Sequence, residues 1–394
     1  MTTIPHLTLT GTRVLRDGAL QSGDLSLADG RITDRPGSAV DLTGYDLMPG
    51  IVDLHGDAFE RHIAPRPSAP FPLMDGLRGC DRDMAAHGVT TAFLAQSWSW
   101  EGGLRGAAYA QQVMATIAAY RADAICDLRL QIRYETFAVD TADALLDALR
   151  RHDVGYVVFN NHMDEPALLA ELHPAGLAIW AARAGYSPEG FMALAASHSA
   201  RAAEVPASVA RLAQAFAAMG VCCGSHDDAD AATRQRFAAL GADICEFPTT
   251  LAAARAAHDL GNPVLMGAPN VARGGSQSGN VAASAMIDAG LCDALVSDYH
   301  YPAMAAAAFR LVDDGLLDLA EAWALISSAP ARIIGLTDRG TLAAGLRADV
   351  VIVNRATRAV EGTIAGGRIA HLSGAAASRM IAGSAVALDE RRSA

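Results

Sequence analysis

The run Asp53-Leu54-His55-Gly56-Asp57 places an imidazole and a carboxylate two positions apart in an apolar segment. On an extended strand both side chains leave the same face and can reach one metal ion. Further ligand-type residues end other apolar runs: Glu135, His162 in Asn160-Asn161-His162, His226 in Gly224-Ser225-His226-Asp227-Asp228, and Asp298 in Leu295-Val296-Ser297-Asp298. A polar group at the end of a hydrophobic strand is poorly placed unless it meets a metal or a proton donor. One divalent ion needs about three or four protein ligands, and two need about five or six with a shared carboxylate. His55, Asp57, Glu135, His162, His226 and Asp298 form a set of the larger size. Plainer readings exist for each: a solvated turn for His55-x-Asp57, a helix-capping neighbourhood for His162, a core histidine for His226.

Two further stretches suit an anion. The run from Met266 to Asn280 carries glycines whose backbone N–H groups can converge, the donors Ser276, Gln277, Ser278 and Asn280, and the planar fork of Arg273. Glu60 to Pro67 brings Arg61, His62 and Arg66 into a proline-stiffened segment. Either could be only a solvated loop. The chain contains no lysine, all 31 basic residues being arginine. That excludes a P-loop, lysine Schiff-base chemistry and a carboxylated lysine bridging two metals. Arginine is left as the only permanent cation for gripping phosphate.

The elements that must position these groups follow from the spacing. Short apolar runs centred on 51–55, 89–95, 128–135, 154–160, 220–225, 243–247, 263–267 and 294–297 alternate with Ala-rich helical stretches. Eight such units predict an α/β fold, a (β/α)8 barrel over 50–339, whose catalytic groups gather at the C-terminal ends of the strands. Residues 1–49 and 340–394 alternate apolar and polar around turn signals, which predicts a small β-sandwich built from both chain ends. A formal charge of −12 argues against nucleic acid and anionic membrane as partners, but not against a small anionic substrate met by a local arginine cluster. Six cysteines without a C-x-x-C pair read as small buried hydrophobes in a reducing compartment. With no signal-like start and no apolar run of membrane length, the expected location is cytoplasmic; homo-oligomerisation is left open.

The His-x-Asp strand, the Met48-Pro49-Gly50 before it, the late Ala329-Pro330-Ala331 and the returning Arg347-Ala348-Asp349-Val350-Val351 together resemble the amidohydrolase superfamily. More narrowly, the chain is similar to the diphosphatases of its phosphonate-metabolism branch. That likeness rests on His55 to Pro67, Ser225 to Asp228, Glu246-Phe247-Pro248-Thr249-Thr250, Met266 to Asn280 and Ser297-Asp298-Tyr299. The resemblance implies one or two divalent ions, zinc by expectation, on the ligand set above, and Asp298 as general base. It implies hydrolysis of a phosphoanhydride in a phosphorylated sugar with release of pyrophosphate. Arg61, His62, Arg66, Arg273, Ser276, Gln277, Ser278, Asn280 and His300 are the expected substrate contacts. The chain departs from the branch at Gly56, where threonine is usual, at Gln277, where histidine is usual, and in the additional His300. After the sixth strand it carries Glu246 in place of the histidine common in the superfamily. A C–N hydrolase on the same metal site is therefore the alternative, and an inactive metal-binding barrel a third reading.

Overall fold

Five short strands open the chain: β1 (Leu7–Arg16), β2 (Ala19–Ala28), β3 (Arg31–Thr33), β4 (Ser38–Asp41) and β5 (Tyr45–Pro49). The computed structural model describes residue 4 and residues 6–66, 69–276 and 279–393, with side chains as far as residue 383. After β5 come eight strands separated by helices: β6 (Ile51–Gly56), β7 (Val89–Trp98), β8 (Asp127–Glu135), β9 (Tyr156–Asn160), β10 (Cys222–His226), β11 (Ile244–Glu246), β12 (Val264–Gly267) and β13 (Ala294–Val296). The chain then returns as β14 (Val350–Asn354), β15 (Val360–Ala365) and β16 (Arg368–Leu372).

β6 to β13 lie side by side in chain order, every ladder parallel, each strand where the apolar runs predict one. Strands covered on both faces are read as near-continuous hydrophobic segments, which is why spacing alone finds them. The cylinder closes between β13 and β6. Asp57 N–H donates to Asp298 O at 2.9 Å, Asp298 N–H to His55 O at 2.9 Å, and Ser297 donates its N–H (2.9 Å) and Oγ–H (2.6 Å) to the buried Asp53 carboxylate. Inside, Val52, Leu54, Phe93, Tyr156, Val158, Ile244, Leu265 and Val296 pack into a solid floor beneath the mouth.

The two chain ends form one mixed sheet in the order β16-β15-β14-β5-β1-β2-β3, with β4 also on β1. β1 changes partners midway. Leu7 to Thr10 pair with β4, Arg13 and Val14 pair with β5, and the ladder to β2 shifts between Leu9 and Thr12. Gly11 sits at that bulge with φ +70°, where a side chain would run into Thr43.

Between β9 and β10 the barrel carries additional helices, Glu165–Leu172, Pro174–Ala184 and Pro188–Ser199, ahead of the long helix Val205–Met219. Aromatic contacts fasten them: the Phe191 ring lies 5.4 Å from Trp180 and 5.6 Å from Trp100, in tilted geometry. Among the described residues no helix is long and apolar enough to cross a membrane.

Candidate active site

The strand ends at the mouth are turned by three residues that adopt positive φ without being glycine: Asp227 (58°) after β10, Phe247 (51°) after β11 and Asp298 (54°) after β13. Each costs about 1–2 kcal/mol relative to a right-handed conformation, and such strain is held where surrounding structure fixes it. Phe247 shows what is gained. Its ring stands edge-on to His55 at 5.1 Å and against His226 at 5.0 Å, an apolar wall behind two imidazoles. Gly267 leaves room for that wall, since a Cβ there would lie 3.2 Å from the Phe247 ring. At Gly56 a Cβ would meet Asp53 at 2.7 Å and Ser297 and Tyr301 at 3.0 Å, so the usual threonine of the branch has no space here.

Strand register decides which polar groups meet. His226 on β10 is directly opposite Glu246 on β11, and Gly56, between His55 and Asp57, is bridged to Asp298. The two pairs face each other across the mouth and are joined by His55, whose Nδ1 lies 2.9 Å from Glu246 Oε2. That oxygen is 3.7 Å from His226 Nε2, and Gln131 Nε2 donates to the other Glu246 oxygen at 2.6 Å. Ligand atoms of His55, His226 and Glu246 lie within 4.8 Å of one another, and so do those of His55, Asp57 and Asp298. His226 Nδ1 is buried without a hydrogen-bond partner; Asp227 Oδ2 is 3.1 Å away but off hydrogen-bonding direction. An orphaned ring nitrogen beside mixed nitrogen and carboxylate donors fits a divalent ion of borderline softness.

Without a metal these charges balance one another. Burial would neutralise Glu246, but the His55 charge and hydrogen bond outweigh it and keep the carboxyl ionised below its ordinary range. His226 is held down as a neutral imidazole by burial. Asp298 is pushed up to about 6, first by burial and then by the negative charge of Asp57, with His55 and Arg133 opposing. Below the strand ends, Arg234 and Asp228 form a fully buried ion pair at 3.2 Å, and Ser225 Oγ donates to Asp228 at 2.7 Å. Arg234 also donates to the carbonyls of Ile244 and Ala242, tying the helix Ala231–Ala239 to β11.

Glu135 and His162 belong to neither cluster of ligand atoms. Glu135 is opposite Asn160 on the adjacent strand, which brings His162 over it: Nδ1 lies 2.5 Å from Glu135 Oε1, while the His162 N–H donates to Oε2 at 3.1 Å. The pair is self-satisfied, with Asn160 Nδ2 donating to Glu135 at 3.2 Å. Two positions before Glu135, on the same inward face of β8, Arg133 reaches within 3.7 Å of Asp57 Oδ2.

The residues expected at an anion distribute over two cavities. One, of about 380 Å³, is lined by His55, Asp57, His226 and Asp298 together with Arg273, Ser276 and Asn280. Arg273 NH1 donates to Tyr299 Oη at 3.2 Å, and Arg61 lies over that ring, 5.9 Å from its centroid. Arg61 lines the second cavity, of about 460 Å³. His62 turns away to Asp83, its Nε2 3.2 Å from Oδ2. Arg66 and His300 are exposed and line neither cavity. Gln277 and Ser278 lie outside the described residues. Sequence reasoning passed over Glu246 as a ligand, and Arg133, Arg105, Arg183 and Tyr299 as neighbours. Glu246 ends its strand as the others do, and Arg133 shares the parity of Glu135; those two signals were available, whereas the helix carrying Arg183 gave none.

The amidohydrolase family model matches residues 82–371. The alpha-D-ribose 1-methylphosphonate 5-triphosphate diphosphatase of Escherichia coli strain K12 is 32% identical over 364 residues, covering 88% of this chain and 95% of that protein. Among solved structures, molinate hydrolase superposes with a TM-score of 0.62 at 13% identity, over 94% of this chain and 95% of its own. The N-acetylglucosamine-6-phosphate deacetylase of Pasteurella multocida superposes with a TM-score of 0.61 at 13% identity, over 92% of this chain and 99% of its own. At such identities the structural likeness speaks for the fold alone.

Proposed function

The chain belongs to the amidohydrolase superfamily, in its phosphonate-metabolism branch, and from that premise we propose that it hydrolyses a sugar triphosphate of the ribose 1-methylphosphonate 5-triphosphate type. In this reading water and the substrate give the sugar 5-phosphate and pyrophosphate. The observation that supports it is a single cavity lined both by candidate metal ligands and by the donors of the loop after β12.

His55, His226 and Glu246 on one side of the shared His55, and His55, Asp57 and Asp298 on the other, would hold one or two ions, zinc being suited to these donors. When bound, such an ion supplies Lewis acidity and lowers the pKa of water to about 7. Asp298, at the closure of the barrel and aimed into the cavity, accepts the proton of the attacking water as general base. The water oxygen bonds to the α-phosphorus, and the bridging oxygen to the β-phosphorus leaves with pyrophosphate. Arg273, Ser276 and Asn280 oppose that departing charge, and Arg133 beside Asp57 adds a second cation on the metal side. Phe247 excludes water from behind the imidazoles. Glu135 and His162, expected among the ligands, act here as a partly buried pair flanking Arg133.

Purified protein should release pyrophosphate from ribose 1-methylphosphonate 5-triphosphate, lose that activity with a chelator and regain it with zinc. Asp298→Asn should lower kcat by about 10²–10⁴-fold, the usual contribution of a general base. Release that persists without metal, or ammonia release from amides in place of pyrophosphate release, would replace this reading with another.

A further inference from the structure

The second cavity meets the first at Asp57 and Tyr299, which line both. Arg61, Arg105 and Arg183 line it together with the carboxylates of Asp57, Glu60 and Glu101. Arg105 is shared between Glu60 at 3.8 Å and Glu101 at 3.9 Å. Arg61 and Arg183, by contrast, make no ion pair with any described residue. In a chain with 43 acidic and 31 basic residues, carboxylates are in surplus, so guanidiniums left unpaired at a cavity mouth are available to something from outside.

The helix that carries Arg183 is fixed over this cavity. Trp180, one turn earlier, donates its indole N–H to the buried Glu101, and Ser99 Oγ donates to the same carboxylate at 3.0 Å. The loop after β7 presses against the helix end, because Gly103 at φ +54° has no side chain; a Cβ there would lie 2.9 Å from the Arg183 carbonyl. Trp180 and Arg183 also border a third opening that extends to Arg133. A track of guanidiniums therefore runs from the inserted helix to the candidate metal ligands.

We propose that this second lobe is a specificity subsite for a further anionic group on the same substrate, a phosphonate or phosphate ester on the far side of the sugar, gripped by Arg183 with Arg61. The inference rests on the hydrolase reading above for which end reacts: pyrophosphate departs in the Arg273 lobe, so the remainder of the substrate extends past Asp57 and Tyr299 into the other. A guanidinium fork suits such a group, which presents at least two equivalent oxygens. The site would thus select molecules charged at both ends over ordinary triphosphates.

The test compares metal-loaded wild type with Arg183→Ala, a change at an exposed helical position that alanine tolerates. The ratio of kcat/KM for ribose 1-methylphosphonate 5-triphosphate to that for ribose 5-triphosphate should exceed about tenfold in wild type and collapse by about tenfold or more in the variant, the worth of one charge-assisted hydrogen-bond pair. Ribose 1-phosphate 5-triphosphate as a third substrate separates phosphate from phosphonate. A ratio that the substitution leaves unchanged overturns the subsite. Binding supplies an independent measure: calorimetry with ribose 1-methylphosphonate 5-phosphate and with ribose 5-phosphate should show the same Arg183-dependent difference. If no substrate releases pyrophosphate but that difference holds, the reaction is wrong and the subsite stands; if pyrophosphate is released and the difference is absent, the reverse is true.

Discussion

Glu246 carries more of the mouth than its place in a Glu-Phe-Pro-Thr-Thr turn suggests. It is fully buried, hydrogen-bonds His55, neighbours His226 and accepts from Gln131, so it orients two imidazoles at once. Glu246→Gln should weaken metal affinity by about tenfold or more, measured by competition with a chromogenic chelator. Glu135→Gln should retain at least one ion per chain with affinity near wild type, because Glu135 is satisfied by His162 and Asn160. The opposite ranking would return Glu135 to the centre. The sequence could show that both carboxylates end strands, but not which imidazole each one meets, because that depends on angular position around the barrel. Adjacent strands pair Glu135 with His162, whereas His55 reaches Glu246 across the mouth. His62, expected at the substrate, shows the same limit: Asp83 lies between it and His87, whose Nδ1 is 3.3 Å from Oδ1. The hydrogen bond to Asp83 raises the His87 pKa, and bonds from His62 and then His87 lower that of Asp83. The signs oppose. His87 contributes stability that is present below its ordinary value of about 6.5 and lost as pH rises through the raised one, while Asp83 contributes stability present above about 3.9 and lost as pH falls through the lowered one. An NMR titration should place His87 above its ordinary value in wild type and return it downward in Asp83→Asn; no movement would remove the coupling.

Among the elements, the eight strands were readable because burial on both faces leaves continuous apolar runs, and the turn-rich ends because half-exposed strands alternate. The inserted helices between β9 and β10 were not separable from the barrel's own, since both show the same helical period. What distinguishes them is tertiary: Trp180 on Glu101, and Phe191 against Trp100. The loops that end β10 and β11 likewise depend on a helix behind them. Arg234 on Ala231–Ala239 spans Asp228, Ser225 and the β11 backbone with no solvent contact. Removing one partner of a buried pair strands the other, so Arg234→Ala should destabilise the protein by about 3–5 kcal/mol, read by chemical denaturation. Because His226 and Asp227 immediately precede Asp228, metal affinity should fall with it; a variant of unchanged stability would show that the pair is dispensable.

At the scale of the whole molecule, a net charge of −12 surrounds a mouth where Arg61, Arg105, Arg133, Arg183 and Arg273 stand among Asp57, Glu60, Glu101, Glu165, Asp227 and Asp298. Screening confines attraction between exposed charges to about 8 Å at physiological salt, so an anion meets these arginines only close to the opening. The arginines are contributed by loops and helices far apart in the chain, which is why composition alone shows their number and not their convergence. The terminal sheet has a different reach. β5 is hydrogen-bonded on one side to β1 and on the other to β14, about 300 residues later. At synthesis rates of about 5–20 residues per second, β5 leaves the ribosome roughly 15–60 s before its second neighbour exists. For that interval the nascent chain presents an unpaired strand edge while the entire barrel is made, and such an edge is a template for wrong pairing. The strands translated after the barrel are thus the ones that cover an edge made before it.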